Sequence, residues 1–493
     1  MTRKETNSYT HILKYTGVFG GVQGLSILMG LLRNKIVAVL LGPGGMGLVS
    51  LFNTVVNFVS QASTFGISFS AVRHVSELYD RGDTAALEHY VGVIRSWTLL
   101  VALFGVLLCI VLGPFLSDST FAWGDHTLHF ILLSPAVGML AVTGGETAIL
   151  KGVRRLRQLA LIQLASIVAT LAISVPVFYF FCEAGIVPVI VLTTLATMLV
   201  TLHFSLRLFP LKAVGARLLG DGMGMVRLGV AYTAAGIMGS GAELLVRSFL
   251  NVRGDLDVVG LYNSAYMLCV TYAGMVFSAM ETDYFPRLSA ANHDPMERNR
   301  IVNRQIEVSL LIVSPMLSAL IVALPVVVPL LFSARFAPIV PMGQVMVIAM
   351  YLRAVTLPVS YIMLATGESK YYLLMEAFYD ILLVMLVTVL FNWMGLLGTG
   401  VALLALYVLE AAVLLAFAHA HYGTSLTPQV LRCVALQLPL GLLAYLCTLT
   451  LSGLVYWMAG LAVVLASTGV SAAILRSKTS LWDILKQKNQ HHG

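Results

Sequence analysis

The chain has 493 residues, of which 58% are hydrophobic and 11% charged, with a mean hydropathy of +0.89. Soluble domains carry about 25% charged residues, so this composition excludes a soluble globular protein and points to one that crosses a membrane many times. The surplus of 30 Lys and Arg over 23 Asp and Glu gives a net charge of +7, which the loops account for without a nucleic-acid partner.

Apolar runs long enough to cross about 30 Å of hydrocarbon, roughly 20 residues each, occur at 11–41, 45–72, 88–116, 126–150, 156–181, 185–208, 224–251, 258–284, 301–332, 338–366, 370–393, 396–420, 429–452 and 455–475. They predict an all-α integral membrane protein with about 14 transmembrane helices. Cationic side chains collect in cytoplasmic loops. With the N-terminus inside, the even loops and both tails hold 21 Lys and Arg, among them Arg81, Lys151, Arg155 and Arg300, whereas the odd loops hold only Arg253 and Arg335. One helix more or fewer would scramble this comb, so both termini are expected in the cytoplasm.

The first run carries Arg33 nine residues before Gly42, about 13 Å deep at 1.5 Å per residue. Lys35 is on the nearly opposite face and is expected to snorkel outward. This run is too long for a signal peptide and no small-residue cleavage site follows it, so it is expected to stay in the membrane. The segment Gly42-Pro43-Gly44-Gly45-Met46-Gly47 lacks the Gly-Lys-Ser/Thr ending of a phosphate loop. Its Pro-Gly chemistry is that of a turn.

Further along, Lys14, Arg95 and Arg227 lie within about a turn or two of the inner face, where cationic side chains snorkel. Glu146, Glu281 and Asp283 lie near inner ends, close to Lys151 or Arg287, as interfacial anchors. The seventh run holds Glu243 and Arg247 at i, i+4, which allows an intrahelical ion pair or a role in a solvated cavity. Three residues approach the midplane in runs ten to twelve: Arg353, Asp380 and Glu410. Glu376 and Asp380 share a helix face and would repel if both were ionised, which makes one of them a candidate proton or sodium site, with Glu410 as an alternate. A bridge from Arg353 to Asp380 or Glu410 is the structural alternative.

The longest loops, 73–87, 209–223 and 285–300, leave no room for an extramembrane catalytic domain. Cys109, Cys182, Cys269, Cys433 and Cys447 stand singly, and His419 and His421 have no acidic or thiol companion at ligand spacing, so neither a metal nor a cofactor is expected. At the tail, Leu481, Ile484 and Leu485 share one face of a short helix expected over 480–488, lying on the inner surface.

The sequence also repeats itself. Arg33, Gly47-Leu48 and Arg73 recur as Arg247, Gly260-Leu261 and Arg287 at offsets of 214, 213 and 214, and Gly152 recurs as Gly367 at 215. Two lobes follow, 1–210 with helices one to six and 211–425 with helices seven to twelve, then two extra helices over 426–475 and a cytoplasmic tail over 476–493. Within the membrane runs the first lobe is mainly cationic and the second mainly acidic. Repeats of this kind place a substrate site near the bilayer midplane. Arg33 and Arg247, with Lys35 and Arg353, are the candidate anion-binding residues.

Leu32-Arg33 through Leu41-Gly42-Pro43 and Gly47-Leu48, Phe65-Gly66 with Arg73, the stretch Gly260-Leu261-Tyr262-Asn263-Ser264-Ala265-Tyr266, and Phe285-Pro286-Arg287-Leu288 resemble landmarks of the polysaccharide transporter family. That family belongs to the multidrug/oligosaccharidyl-lipid/polysaccharide exporter superfamily. The resemblance implies two six-helix lobes forming a V around a central cationic cavity. It implies a flippase that moves undecaprenyl-diphosphate-linked oligosaccharide across the bacterial inner membrane by alternating access, for O-antigen, common-antigen or capsule assembly. Implied partners are the lipid-linked oligosaccharide and membrane lipids. Coupling to H+ or Na+, and contact with the cognate polymerase and glycosyltransferases, stay open. Two extra C-terminal helices are similar to those of the lipid II flippase branch, which keeps lipid II open as a substrate, as does a cation-coupled drug exporter. A membrane-embedded glycan polymerase or glycosyltransferase is the alternative of another class, and the small outer loops argue against it.

Overall fold

The computed structural model describes residues 3–121, 124–211, 215, 218–291 and 293–478, and the regular elements among them are all helical. The tail helix expected over 480–488 lies outside the described residues, as do the side chains of Lys14, Arg227, Glu281 and Asp283.

The chain starts with α1 (Arg3–Ser63), which is two rods joined at a kink. Gly42 takes φ 69° and ψ −171° there, a conformation open to glycine alone at little cost. Pro43 then supplies no N–H to the ladder. The second rod ends earlier than the apolar run suggests. Phe65 and Gly66 have φ of 48° and 64°, and an amphipathic α2 (Ile67–Arg81) begins after them with Ile67, Ala71 and Val75 buried. The apolar run over 45–72 is therefore one span plus the start of a separate helix, because hydropathy is blind to a left-handed break.

There follow α3 (Thr84–Thr120), α4 (Thr127–Gly152), α5 (Leu156–Phe181), α6 (Ile186–Leu208) and α7 (Met223–Arg253). Next come α8 (Leu256–Tyr266), a π-helical turn at Met267–Thr271 and α9 (Tyr272–Ala290), which make one continuous rod. The remainder is α10 (Pro295–Leu331), α11 (Ile339–Ala365), α12 (Ser369–Met394), α13 (Leu396–Tyr422), α14 (Pro428–Thr450) and α15 (Gly453–Lys478). Ten stretches of the described residues are long and apolar enough to cross a membrane. Two of them are double, Leu28–Ser63 at the α1 kink and Arg157–Leu208 at the corner Cys182–Gly185. With α7 and the α8–α9 rod, these make the fourteen rods of spanning length that the sequence predicts.

Contacts group the described residues into two compact units, one reaching to Gly260 and including Leu331–Ser333, the other holding the rest. The repeat divides the chain at 210/211, but α7 packs on α1, α2 and α3 inside the first unit. In that unit α4 is the central layer against α2, α3 and α6, around a core of Ile67, Val75, Ile94, Trp97, Val101 and Ile149. The start of α8 also belongs here, for a reason written in the repeat. Gly47 and Gly260 are repeat mates, and a Cβ on Gly47 would collide with the carbonyl oxygen of Leu256, one on Gly260 with that of Pro43. Two backbones touch where each repeat has its glycine.

In the second unit α11 packs against α9, α12, α13 and α14. The Tyr351 hydroxyl on α11 donates to Ser314 O at 3.0 Å and lies 2.7 Å from Ser318 Oγ, both on α10. Gln437 of α14, fully buried, donates to Ser471 Oγ at 2.9 Å and accepts from Ser467 Oγ at 2.6 Å, which fastens α15 to α14.

Candidate functional site

Ionisable groups inside the rods cost about 2.5–3.5 kcal/mol each at a helix centre unless they face a partner or water, so their partners define the candidate sites. In the first unit Arg33 and Lys35 are half-buried on the first rod of α1. Arg247, on α7, is 7% exposed, and its Nη1 donates to Glu243 Oε2 at 2.9 Å. The intrahelical pair is thus formed, yet it is lopsided: the Glu243 side chain is 49% exposed and that of Arg247 9%. One turn further, Asn251 Nδ2 donates to Thr120 O at 2.8 Å and Ser248 contacts Thr120 Oγ1, pinning α7 to the end of α3. Arg33 and Arg247 therefore belong to one compact unit, on two helices that pack together.

The second unit gathers a different set. Arg353 on α11 meets Glu410 on α13 at 3.5 Å, which realises one of the two bridges the sequence allows. Its guanidinium carbon is 5.5 Å from the centroid of the Tyr407 ring, within cation–π range, and the Tyr379 hydroxyl is 3.4 Å from that of Tyr407. Glu376, on α12, is within electrostatic reach of both Arg353 and Glu410. Asp380, one turn along, is 7% exposed. Two carboxylates thus share one arginine, with Glu410 Oε2 left without a hydrogen-bond partner. Tyr266, where α8 gives way to the π turn, reaches the same arginine. The arrangement can hold a net negative charge that a proton or a small cation would neutralise.

Sequence reasoning missed a third group. Arg95 on α3 and Glu146 on α4 are 6% and 4% exposed, and they form a two-pronged bridge, Nε to Oε1 at 2.8 Å and Nη2 to Oε2 at 3.1 Å. Ser205 of α6 donates to the same carboxylate, and Arg95 Nη1 reaches Pro210 O at 3.4 Å. The expectation of separate interfacial anchors is corrected by this contact. Their signal was available: opposite charges at matched depth on two helices joined by a short hairpin. His421 instead pairs with Glu368 at 3.1 Å, and no cluster of metal-ligating side chains occurs among the described residues.

A family model described as polysaccharide biosynthesis protein matches residues 36–341. The chain belongs to this family. The matched part of this polysaccharide biosynthesis protein includes Arg95, Glu146 and Arg247, begins just after Arg33 and Lys35, and ends before Arg353. No curated protein matches the chain. Among solved structures, a lipid II flippase MurJ in an inward closed conformation has a TM-score of 0.73 at 14% identity, covering 93% of this chain and 99% of its own. An inward-facing multidrug resistance MATE family transporter of the MOP superfamily has a TM-score of 0.67 at 16% identity, covering 81% and 94%. A MOP superfamily transporter from Pyrococcus furiosus, described by the reverse polarity of its binding pocket, has a TM-score of 0.54 at 14% identity over 83% and 94%. At these identities the likeness is one of fold. The protein is a multi-pass membrane protein of the polysaccharide biosynthesis family with the helical fold of these transporters.

Proposed function

We propose that the chain is a flippase for undecaprenyl-diphosphate-linked oligosaccharide, moving it from the cytoplasmic to the periplasmic leaflet of the bacterial inner membrane for O-antigen, common-antigen or capsule assembly. The observation that carries the reading is Arg247, buried on α7 in repeat register with Arg33 on α1, in a chain of a polysaccharide biosynthesis family. Arginine suits a diphosphate because its planar fork binds phosphate oxygens in pairs and stays charged when partly desolvated. Alternating access exposes this site, which lies within one compact unit, to each side of the membrane in turn. Lipid II is the competing substrate, favoured by the α14–α15 pair and the near-complete coverage of the lipid II flippase. Vesicles holding the purified protein and a fluorescent lipid-linked glycan separate the two, since an O-unit donor should flip and lipid II should not. Absence of flipping with either lipid would overturn the reading.

The orientation follows from the loop charges. Single cysteines near Gly44, Asp118, Asp255 and Asn392 are expected to label from the periplasmic side of intact cells, and ones near Arg81, Arg155 and Asn299 only after permeabilisation. Reversed labelling at any two of these sites would reject it.

Coupling is assigned to Asp380, buried on α12, with Glu376 and Glu410 as alternates. Asp380→Asn keeps the shape and removes the charge. The variant should lose the response of flipping to an imposed proton or sodium gradient while basal exchange persists. A full response would return the coupling role to Glu376 or Glu410.

A further inference from the structure

The connectors that leave the sixth and twelfth rods are fastened in the same way in the two units. After α6 ends at Leu208, four side chains of α3 hold the segment that follows. Arg95 Nη1 reaches Pro210 O at 3.4 Å, Ser96 Oγ accepts from Gly215 N at 3.1 Å, Trp97 Nε1 donates to Leu219 O at 2.9 Å, and His89 Nε2 lies 3.0 Å from Asp221 Oδ2. Arg95, Ser96 and Trp97 are each less than a tenth exposed. Gly222 then lies so close on the Trp97 indole that a Cβ would collide with it. Exposed loops do not ordinarily engage buried indole and guanidinium donors through their backbone.

After α13 ends at Tyr422, the helix that takes the part of α3 is α10. Arg298 Nη2 donates to Tyr422 O at 2.9 Å, and its guanidinium also sits over the Tyr422 ring. Asn303 Nδ2 donates to Ser425 O at 2.8 Å, Asn303 Oδ1 accepts from Thr427 N at 2.7 Å, and Asn299 Oδ1 accepts from Ser425 N at 3.1 Å. The register is that of the repeat. Leu208 and Tyr422, the last residues of α6 and α13, are 214 apart, as are His89 and Asn303. The helices that hold the connectors, α3 and α10, are both 37 residues long. The residues doing the holding differ (His, Arg, Ser and Trp against Arg and two Asn), so the arrangement is kept while its chemistry is not.

We propose that each repeat carries a strap, in which its third rod fastens the connector leaving its sixth, so that the connector moves with its own helix bundle and is not a slack tether. For the first repeat this makes the described connector residues, 209–211, 215 and 218–222, part of the bundle that precedes it. For the second it fixes the point from which α14 starts, where Thr427 caps the helix through Val430 N. That the bundles move at all rests on the flippase reading; the straps do not.

Hydrogen–deuterium exchange on the full-length protein in nanodiscs tests them. In the wild type the amides of Gly215, Ser425 and Thr427 should exchange slowly. Ser96→Ala should speed Gly215 by about five- to tenfold and leave 423–427 unchanged, because one hydrogen bond is removed. Asn303→Ala should do the reverse, and Asn303→Asp, which keeps the acceptor for Thr427 N, should leave that amide protected. Trp97→Phe keeps an aromatic ring and removes the donor, so it reads the strap with less loss of core volume than alanine. A second measurement follows the connector during cycling: spin labels on Ala85→Cys and Gly220→Cys should give one narrow distance that does not change when undecaprenyl diphosphate is added. Connector amides exchanging at their intrinsic rates in the wild type, or a label distance that shifts with the lipid, would overturn the proposal. A protein that flips no glycan yet keeps both signatures would defeat the flippase reading and leave the straps intact.

Discussion

Glu146→Ala should destabilise the protein by about 3–5 kcal/mol, the usual cost of removing one partner of a buried ion pair. Arg95 stays behind at 6% exposure with, among the described residues, only Pro210 O, at 3.4 Å, to take any of its charge. Ser205, which donates to the lost carboxylate, loses its acceptor too. The measurement is thermal unfolding in detergent followed by size-exclusion fluorescence, at matched expression. The double variant Arg95→Met with Glu146→Met is the informative control, because a buried pair replaced by apolar groups of similar volume is often neutral or stabilising. The double variant should therefore recover most of what the single one loses, a coupling of the kind that double-mutant cycles isolate. A double variant as unstable as Glu146→Ala would mean that packing, and not the charge left unpaired, sets the cost. A restored Tm with connector amides newly exposed at Gly215 would separate the ion pair's part in stability from its part in the strap.

The contrast between this pair and the rest of the fold says what a sequence can carry. Rod number and position come from runs of apolar residues whose length is set by the bilayer, so fourteen rods were legible with their ends nearly in place. The repeat was legible because glycines are kept where backbones touch. Gly47 and Gly260 are matched letters in the sequence, and in the fold they stand against Leu256 and Pro43. The break at Phe65 and Gly66 was not visible, since a left-handed pair leaves no trace in hydropathy. Within one helix, spacing alone gave the pair Glu243 and Arg247. Across helices it gave alternatives: Arg353 could have met Asp380 or Glu410, and tertiary packing chose Glu410. Depth along each helix taken separately gives Arg95 and Glu146 as two interfacial groups, whereas the partner of each stands on the next helix. Of the connectors the sequence shows little beyond length, because Trp97 and Asn303 hold them by backbone atoms that carry no sequence signal.

Arg33→Ala and Arg247→Ala should each cut export of surface glycan by roughly ten- to hundredfold at equal protein levels, since a hydrogen bond to a charged group contributes about 1.5–3 kcal/mol. Arg247 gives the sharper test because its ion-pair partner Glu243 is half exposed on the same helix. Losing Arg247 returns that carboxylate to water at little cost, and thermal unfolding at matched expression separates lost export from lost packing. Glu243→Gln supplies the control. If the arginine serves only the ion pair, Glu243→Gln should match Arg247→Ala; if it binds a diphosphate, Glu243→Gln should leave export near the wild-type level, because the guanidinium is still there and has lost a competitor for its donors. Arg→Lys at either position should restore only part of the function, as a lysine keeps the charge without the paired donors. Lys35→Ala, two residues from Arg33 and turned to another side of α1, should be mild. The decisive comparison is the lipid-linked donor in vesicles, where Arg247→Ala should raise the concentration needed for half-maximal flipping. Equal export by both alanine variants and the wild type would reduce these two arginines to structural groups and move the anion site to Arg353, the partly buried guanidinium that faces Glu410 in the other unit.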